Sequence, residues 1–228
     1  MVDAIPRCVV RDEEGLEAAL AREVGPLVLV RAARLAVVRT SDDGPPGPPD
    51  LARIAAHARV AWQVHQLRPA LPMRLGGVPA DDATLQRLLA DHAEAWHRGL
   101  ERVAGCDEFG LRWRLPPAEH LPAAGAATSG VAYLRARRAA LEREAVELEQ
   151  ARARLAPLLT DLGSLHRAHV AELVATTDGR PELCVALLVP RDGEGPLRDH
   201  LAASTEAITC TGPWAPFSFV PDCLAGNV

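Results

Sequence analysis

The residues with the most recognisable ligand chemistry are His166, His169 and Glu172, whose three-residue spacing would put all three on one face of a helix. The residues that follow read as a strand, however, and the HExxH pattern of a helical zinc protease is absent, so surface or helix-end histidines are the plainer reading. Gly76-Gly77 follows a short apolar run, but GGVPADD contains neither GxGxxG nor GxxxxGK[ST] and reads as a turn into a helix, not a phosphate cradle. Ser129 and Ser164 sit beside glycines without the GxSxG elbow of a hydrolase nucleophile. Asp42-Asp43 falls in a loop, and Asp81-Asp82 falls at a helix start, where capping explains the carboxylates better than acid–base work. His57, His65, His92 and His97 are dispersed over amphipathic helices at core-edge positions. No nucleophile, base and oxyanion site combine, so the sequence predicts no catalytic residue, no metal ligand and no cofactor.

Composition narrows the partners. The chain has 228 residues, 48% of them hydrophobic, which suffices for one large or two small domains with a real core. Its opening, MVDAIPRCVVRDEEG, lacks the basic and long apolar parts of a secretory signal, and the longest apolar run, LVLVRAARLAVV, is cut by Arg31 and Arg34. No membrane span is expected, and the protein reads as cytoplasmic. The five cysteines are scattered and never form CxxC, which argues against a disulfide framework or a zinc knuckle. With 25 basic residues interleaved among 30 acidic ones and a net charge of -5, there is no basic stripe to hold nucleic acid.

These side chains must be positioned by an α+β arrangement. A strand is expected over Pro6–Arg11, a helix over Asp12–Val24, and a hairpin from Pro26–Ala32 and Arg34–Thr40. A helix over Leu51–Gln66, N-capped by Asp50, carries Leu51, Ile54, Ala58, Ala61, Trp62 and His65 near one face. A short strand over Ala70–Leu75 precedes a single helix over Asp81–Val103, with Leu85, Leu88, Leu89, His92, Trp96 and Leu100 on one stripe, and then an alternating strand over Phe109–Leu115. The order βαββαβ followed by αβ predicts a ferredoxin-like sandwich with one extra unit. The Pro/Gly-rich stretch Pro116–Gly130 places the boundary, giving an N-terminal domain over 1–115, a linker over 116–130 and a C-terminal domain over 131–228.

In the second domain, Leu134, Leu141, Leu148, Leu155 and Leu162 recur every seventh residue of a long helix, beside Val131, Arg138, Ala145 and Arg152 on the companion seam. The mixed seam favours a helix lying on its own sheet over a dimeric coiled coil, and Pro157 is expected to kink or end the helix near residue 153. Strands over Val170–Thr176 and Glu182–Val189, a helix over Pro196–Ser204 and a strand over Ala207–Thr211 complete the order αββαβ, the same sandwich lacking its first strand. The chain then ends in GPWAPFSFV, Gly212–Val220, where Trp214, Phe217 and Phe219 are stiffened by Pro213 and Pro216. This segment either seals the protein's own core or presents a partner surface, and it can do both if its faces divide the work.

GPWAPFSF at Gly212–Phe219, LPMRLGGV at Leu71–Val78, HARV at His57–Val60, Tyr133-Leu134 at the start of the long helix, and the strand CVALLVP together resemble the gas vesicle accessory proteins of the GvpF/GvpL type. The resemblance singles out Leu71, Pro72, Met73, Arg74, Gly76, Tyr133, Leu134, Gly212, Pro213, Trp214, Pro216, Phe217 and Phe219 as motif residues with structural or partner-binding roles. It implies two ferredoxin-like α+β domains and a non-catalytic, gas vesicle associated role, binding the small hydrophobic shell protein and other accessory proteins during nucleation or growth. Self-association is left open. The alternative is a ferredoxin-like small-molecule binding or regulatory module, supported by fold analogy alone.

Overall fold

A computed structural model describes residues 4–41, 49–77, 81–114, 130–175, 181–204 and 206–221. The first sheet contains β1 (Ala4–Arg11), β2 (Leu27–Ala32), β3 (Leu35–Ser41) and β4 (Leu71–Pro72) in the order β2-β3-β1-β4, with α1 (Leu16–Val24) and α2 (Leu51–Leu67) as the crossings. That is the βαββαβ sandwich expected, and β1 pairs antiparallel with β3 and β4, as β2 does with β3. Strand β1 is central and reads PRCVV, because both of its faces are covered. Cys8, Val10, Ala36 and Val38 pack with Leu16, Leu20 and Val64 of α1 and α2. Burial pushes the Cys8 thiol up to about 12, which makes it an inert core residue. Strand β4 is shorter than the expected Ala70–Leu75. Pro72 has no N–H to extend the ladder, and the chain turns at Gly76, whose φ of 73° suits glycine.

The helix expected over Asp81–Val103 is two helices, α3 (Asp82–Asp91) and α4 (Ala93–Val103), broken at His92 with φ -118° and ψ 19°. The stripe stays in phase across the break, with Leu85 and Leu89 buried before it and Trp96, Gly99, Leu100 and Val103 after it, but His92 itself is exposed. Asp81 caps α3 by accepting from the Thr84 backbone N–H at 2.8 Å, and these Thr84 bonds hold its carboxyl below the usual range. In α2, Asp50 caps as expected, but the buried face is His57, Ala61, Val64 and His65, while Leu51 and Ile54 of the first turns are exposed.

The second sheet contains β5 (Cys106–Arg114), β6 (Ala168–Ala175), β7 (Pro181–Pro190) and β8 (Ile208–Trp214) in the order β6-β7-β5-β8, with α5 (Gly130–Leu162) and α6 (Glu194–Ala203) as crossings. Strand β5 therefore supplies the first strand that the C-terminal half was expected to lack, and the second sheet repeats the first one's topology. Phe109, Leu111 and Trp113 alternate inward to meet Leu183, Val185, Leu187 and Val189 of β7, Ala151, Leu155 and Leu162 of α5 and Leu197 of α6. Helix α5 passes through Pro157 to Leu162 instead of stopping near 153. An interior proline costs about 3 kcal/mol. Burying Leu155 and Leu162 returns roughly 1.5–3 kcal/mol each, with Leu158 and Leu159 partly buried besides.

The chain accordingly forms two compact units, Met1–Glu108 with Gly212–Val228, and Phe109–Thr211. This differs from the expected division at 116–130, residues that lie outside the described ones except Gly130. The last residues belong with the first sheet, where Ala215 and Phe219 are buried. Gly99 of α4 permits that return, since a Cβ there would lie 2.9 Å from Leu71 Cδ1 and 3.2 Å from Pro221 Cγ. Alanine is worth up to about 1 kcal/mol over glycine in a helix, but Leu71 is fully buried and cannot swing away. Gly99→Val should lower unfolding free energy by about 1–3 kcal/mol in chemical denaturation, the scale of overpacking; a neutral result would show that Pro221 does not pack against α4.

Candidate functional site

The site begins with a charged residue in an apolar strand. The register of β1 against β3 shifts between Pro6 and Cys8, so Arg7 occupies a bulge that re-aims its side chain. Its buried guanidinium donates to Thr40 Oγ1 at 2.7 Å and to Ser41 O at 3.0 Å, and approaches His57 Nδ1 at 3.1 Å. His57 Nε2 lies 2.6 Å from Met73 O. A guanidinium only donates and a carbonyl only accepts, so the imidazole accepts at Nδ1 and donates from Nε2, which fixes one neutral tautomer. The Met73 backbone N–H donates back to Arg7 O at 2.8 Å. Arg7, His57 and Met73 thus tie β1, α2 and the LPMRLGG turn together. A second buried histidine, His65, lies 2.8 Å from Cys106 O and 3.2 Å from Asp107 Oδ1 and tethers the end of α2 to the start of β5.

The C-terminal segment lies against this frame. Gly212 takes φ 122°, a conformation open to glycine, and the Gly212–Pro213 peptide is cis. Glu108, buried at the end of the first unit, accepts from Ser218 N–H and from Ser218 Oγ, both at 2.8 Å. These two bonds anchor the 3-10 turn Phe217–Phe219. Phe219 is buried, with the Arg102 guanidinium 5.3 Å from its ring centroid, and the Phe217 ring stands 6.3 Å from the His57 ring. Trp214 remains 49% exposed. The segment divides its faces, with Ala215 and Phe219 inward and Trp214 and Phe217 outward.

Between α2, the β4 turn and this segment lies a groove of about 750 Å³, lined chiefly by Ile54, His57, Pro72, Leu75, Trp214 and Phe217. The motif residues Pro72, Arg74, Trp214 and Phe217 meet here, while Leu71, Met73 and Phe219 are buried beneath and Gly76 turns the chain beside it. Pro213 and Pro216 flank Trp214 in the segment. Leu134 is exposed on α5 in the other unit and does not line the groove; of Tyr133 only the backbone, in the first turn of α5, is described. From the sequence Ile54 is an ordinary helix position, His57 opens the HARV element and Ser218 lies within GPWAPFSF without a role of its own, while Arg7 and Glu108 are not singled out. Their signal was a charge embedded in an apolar run, Arg7 in IPRCVV and Glu108 in CDEFG.

The histidine trio does not assemble. His166 follows a 3-10 turn with extended backbone, and His169 and Glu172 occupy odd and even positions of β6, hence opposite faces of a strand. The His166 and His169 rings are 5.6 Å apart, and burial together with the neighbouring His169 lowers the His166 pKa. Among the described residues no three His, Cys, Asp or Glu side chains converge as a metal set. Ser164 lies in that 3-10 turn, and Ser129 and Asp42-Asp43 lie outside the described residues.

Burial pushes the Glu108 carboxyl pKa up, with the Ser218 bonds opposing the shift. An acid whose pKa is raised by folding contributes most stability while protonated and loses it as pH rises through the folded value. The wild type should therefore gain melting temperature relative to Glu108→Gln as pH is lowered from neutral toward the ordinary glutamate range; a flat or opposite difference would show that Glu108 is solvated. Glu108→Ala, which also removes both Ser218 bonds, should cost about 1.5–3 kcal/mol.

A family model described as "Gas vesicle synthesis protein GvpL/GvpF" matches residues 8–221. The chain is 34% identical over 179 residues to gas vesicle protein L of Streptomyces sp. (strain CB03234), covering 72% of this chain and 67% of that protein. The crystal structure of GvpF from Anabaena sp. PCC7120 superposes with a TM-score of 0.67 over 96% of this chain and 95% of that one, at 13% identity. GvpF from Microcystis aeruginosa superposes equally well, with a TM-score of 0.67, 14% identity, and 97% and 100% coverage. At such identity the two crystal structures speak to the fold, which they share with this α+β chain. The match over residues 8–221 speaks to the family: the chain belongs to the gas vesicle synthesis protein GvpL/GvpF family.

Proposed function

We propose that this protein is a non-catalytic accessory factor that binds the hydrophobic gas vesicle shell protein, and other accessory proteins, through the groove floored by His57 and walled by Trp214 and Phe217. Family membership carries the coarser part, an accessory role in gas vesicle formation. The observation that supports the finer part is that three separate motif segments, His57–Val60, Leu71–Val78 and Gly212–Phe219, contribute to one apolar groove with a half-exposed tryptophan at its edge. A shell subunit with an apolar surface aggregates unless that surface is covered before assembly, and rigid aromatics beside a preformed groove are suited to covering it. Binding would take place in the cytoplasm at nascent vesicles.

A small-molecule site would present unsatisfied polar groups converging on a ligand. In this groove both His57 nitrogens and both Glu108 oxygens are engaged within the protein, which leaves mainly apolar surface and Arg74 for a partner. Because Trp214 is half exposed, Trp214→Ala should leave the melting temperature nearly unchanged. Recovery of shell protein in co-purification should fall about tenfold or more, the effect of losing one interface anchor. Undiminished recovery, or a large loss of thermal stability, would reject Trp214 as a partner contact.

A further inference from the structure

We infer that the first half of α5 is a self-association surface that pairs two copies of this chain antiparallel. The helix changes character along its length. Ala151, Leu155 and Leu162 are buried in the second unit's core, whereas every described side chain from Val131 to Gln150 is exposed. Among these are four large apolar residues, Val131 at 61%, Leu134 at 66%, Leu141 at 49% and Val146 at 43% exposure. Val131, Leu134, Arg138, Leu141 and Ala145 follow the alternating three- and four-residue steps of a heptad seam, with Arg135 and Glu142 one step outside it. A stripe of this kind on an otherwise charged helix face fits a second helix.

Charge selects the second copy and its direction. In a parallel pair, Arg138 would meet the Arg138 of the second copy across the seam, and like charges there repel. In an antiparallel pair the two kinds of seam position face each other, so Arg138 lies opposite Leu141 and Leu134 opposite Ala145 of the second copy. The two-fold axis then sets Arg135 of each copy beside Glu142 of the other, twice. Glu142 already accepts from Arg138 of its own helix at 2.8 Å, so each carboxylate would sit between two guanidiniums. The arginine at the seam lowers affinity and specifies direction, the known use of a polar seam residue.

The test uses the full chain in sedimentation velocity over a range of concentrations, with circular dichroism as the folding control. The wild type should show a reversible monomer–dimer equilibrium, and Leu134→Glu/Leu141→Glu should abolish the dimer without loss of helix or melting temperature. Arg135→Glu should weaken the dimer about fivefold, the scale of two exposed ion pairs made repulsive, and Arg135→Glu/Glu142→Arg should restore it. The charge swap keeps the test decisive if the leucine variant misfolds. A chain monomeric at every concentration, a dimer that survives the leucine substitutions in folded protein, or a dimer indifferent to Arg135→Glu would each overturn the inference, the last because parallel pairing gives Arg135 no charged partner.

Discussion

The site depends on the pair of hydrogen bonds that the buried Glu108 carboxylate accepts from Ser218. They join residues 110 positions apart and fasten the C-terminal segment to the start of β5, within the compact unit that carries the first sheet, although β5 and the strand leading into the segment, β8, pair in the second. Without that return Trp214 and Phe217 would have no groove to edge, and Phe219 would lose its burial beside Arg102. The bonds act together with Gly99, which admits Pro221 against α4, and with Gly212, whose backbone conformation starts the turn. Burying a carboxylate is unfavourable, and both of its oxygens must find donors for the arrangement to persist.

Arg7 does for the other wall what Glu108 does for this one. A bulge places its guanidinium under α2, where it holds His57 in one tautomer and, through His57, holds the Met73 carbonyl. The groove floor is therefore made of polar groups that face one another and of apolar atoms that face outward. The same economy of polar groups that rigidifies the site leaves it suited to an apolar partner.

Much of the local architecture was legible because it rests on periodicity. The hairpin of β2 and β3, the Asp50 and Asp81 caps and the inward alternation of Phe109, Leu111 and Trp113 all follow from patterns within one element. The sheet that β5 joins did not follow, since alternation specifies which face is buried and not what covers it. Pro157 misled for a related reason: propensity foresees the proline penalty but not the leucines that outweigh it on α5. The groove was the least legible feature. Its motif residues stood out by resemblance, but their convergence requires a long-range return signalled only by the charges in CDEFG and IPRCVV. The histidine trio was legible as no site, because the residues after His166 already read as strand, and on β6 the three-residue spacing sets His169 and Glu172 on opposite faces.

The central claim, that gas vesicle shell protein docks in the groove edged by Trp214, is tested most directly by photo-crosslinking in cells that are building vesicles. A photoreactive residue at position 214 or 217 should capture the shell protein, whereas one at Leu67, exposed on the same helix as His57 but outside the groove, should not. Capture from position 67 alone, or from none of the three, would contradict the account.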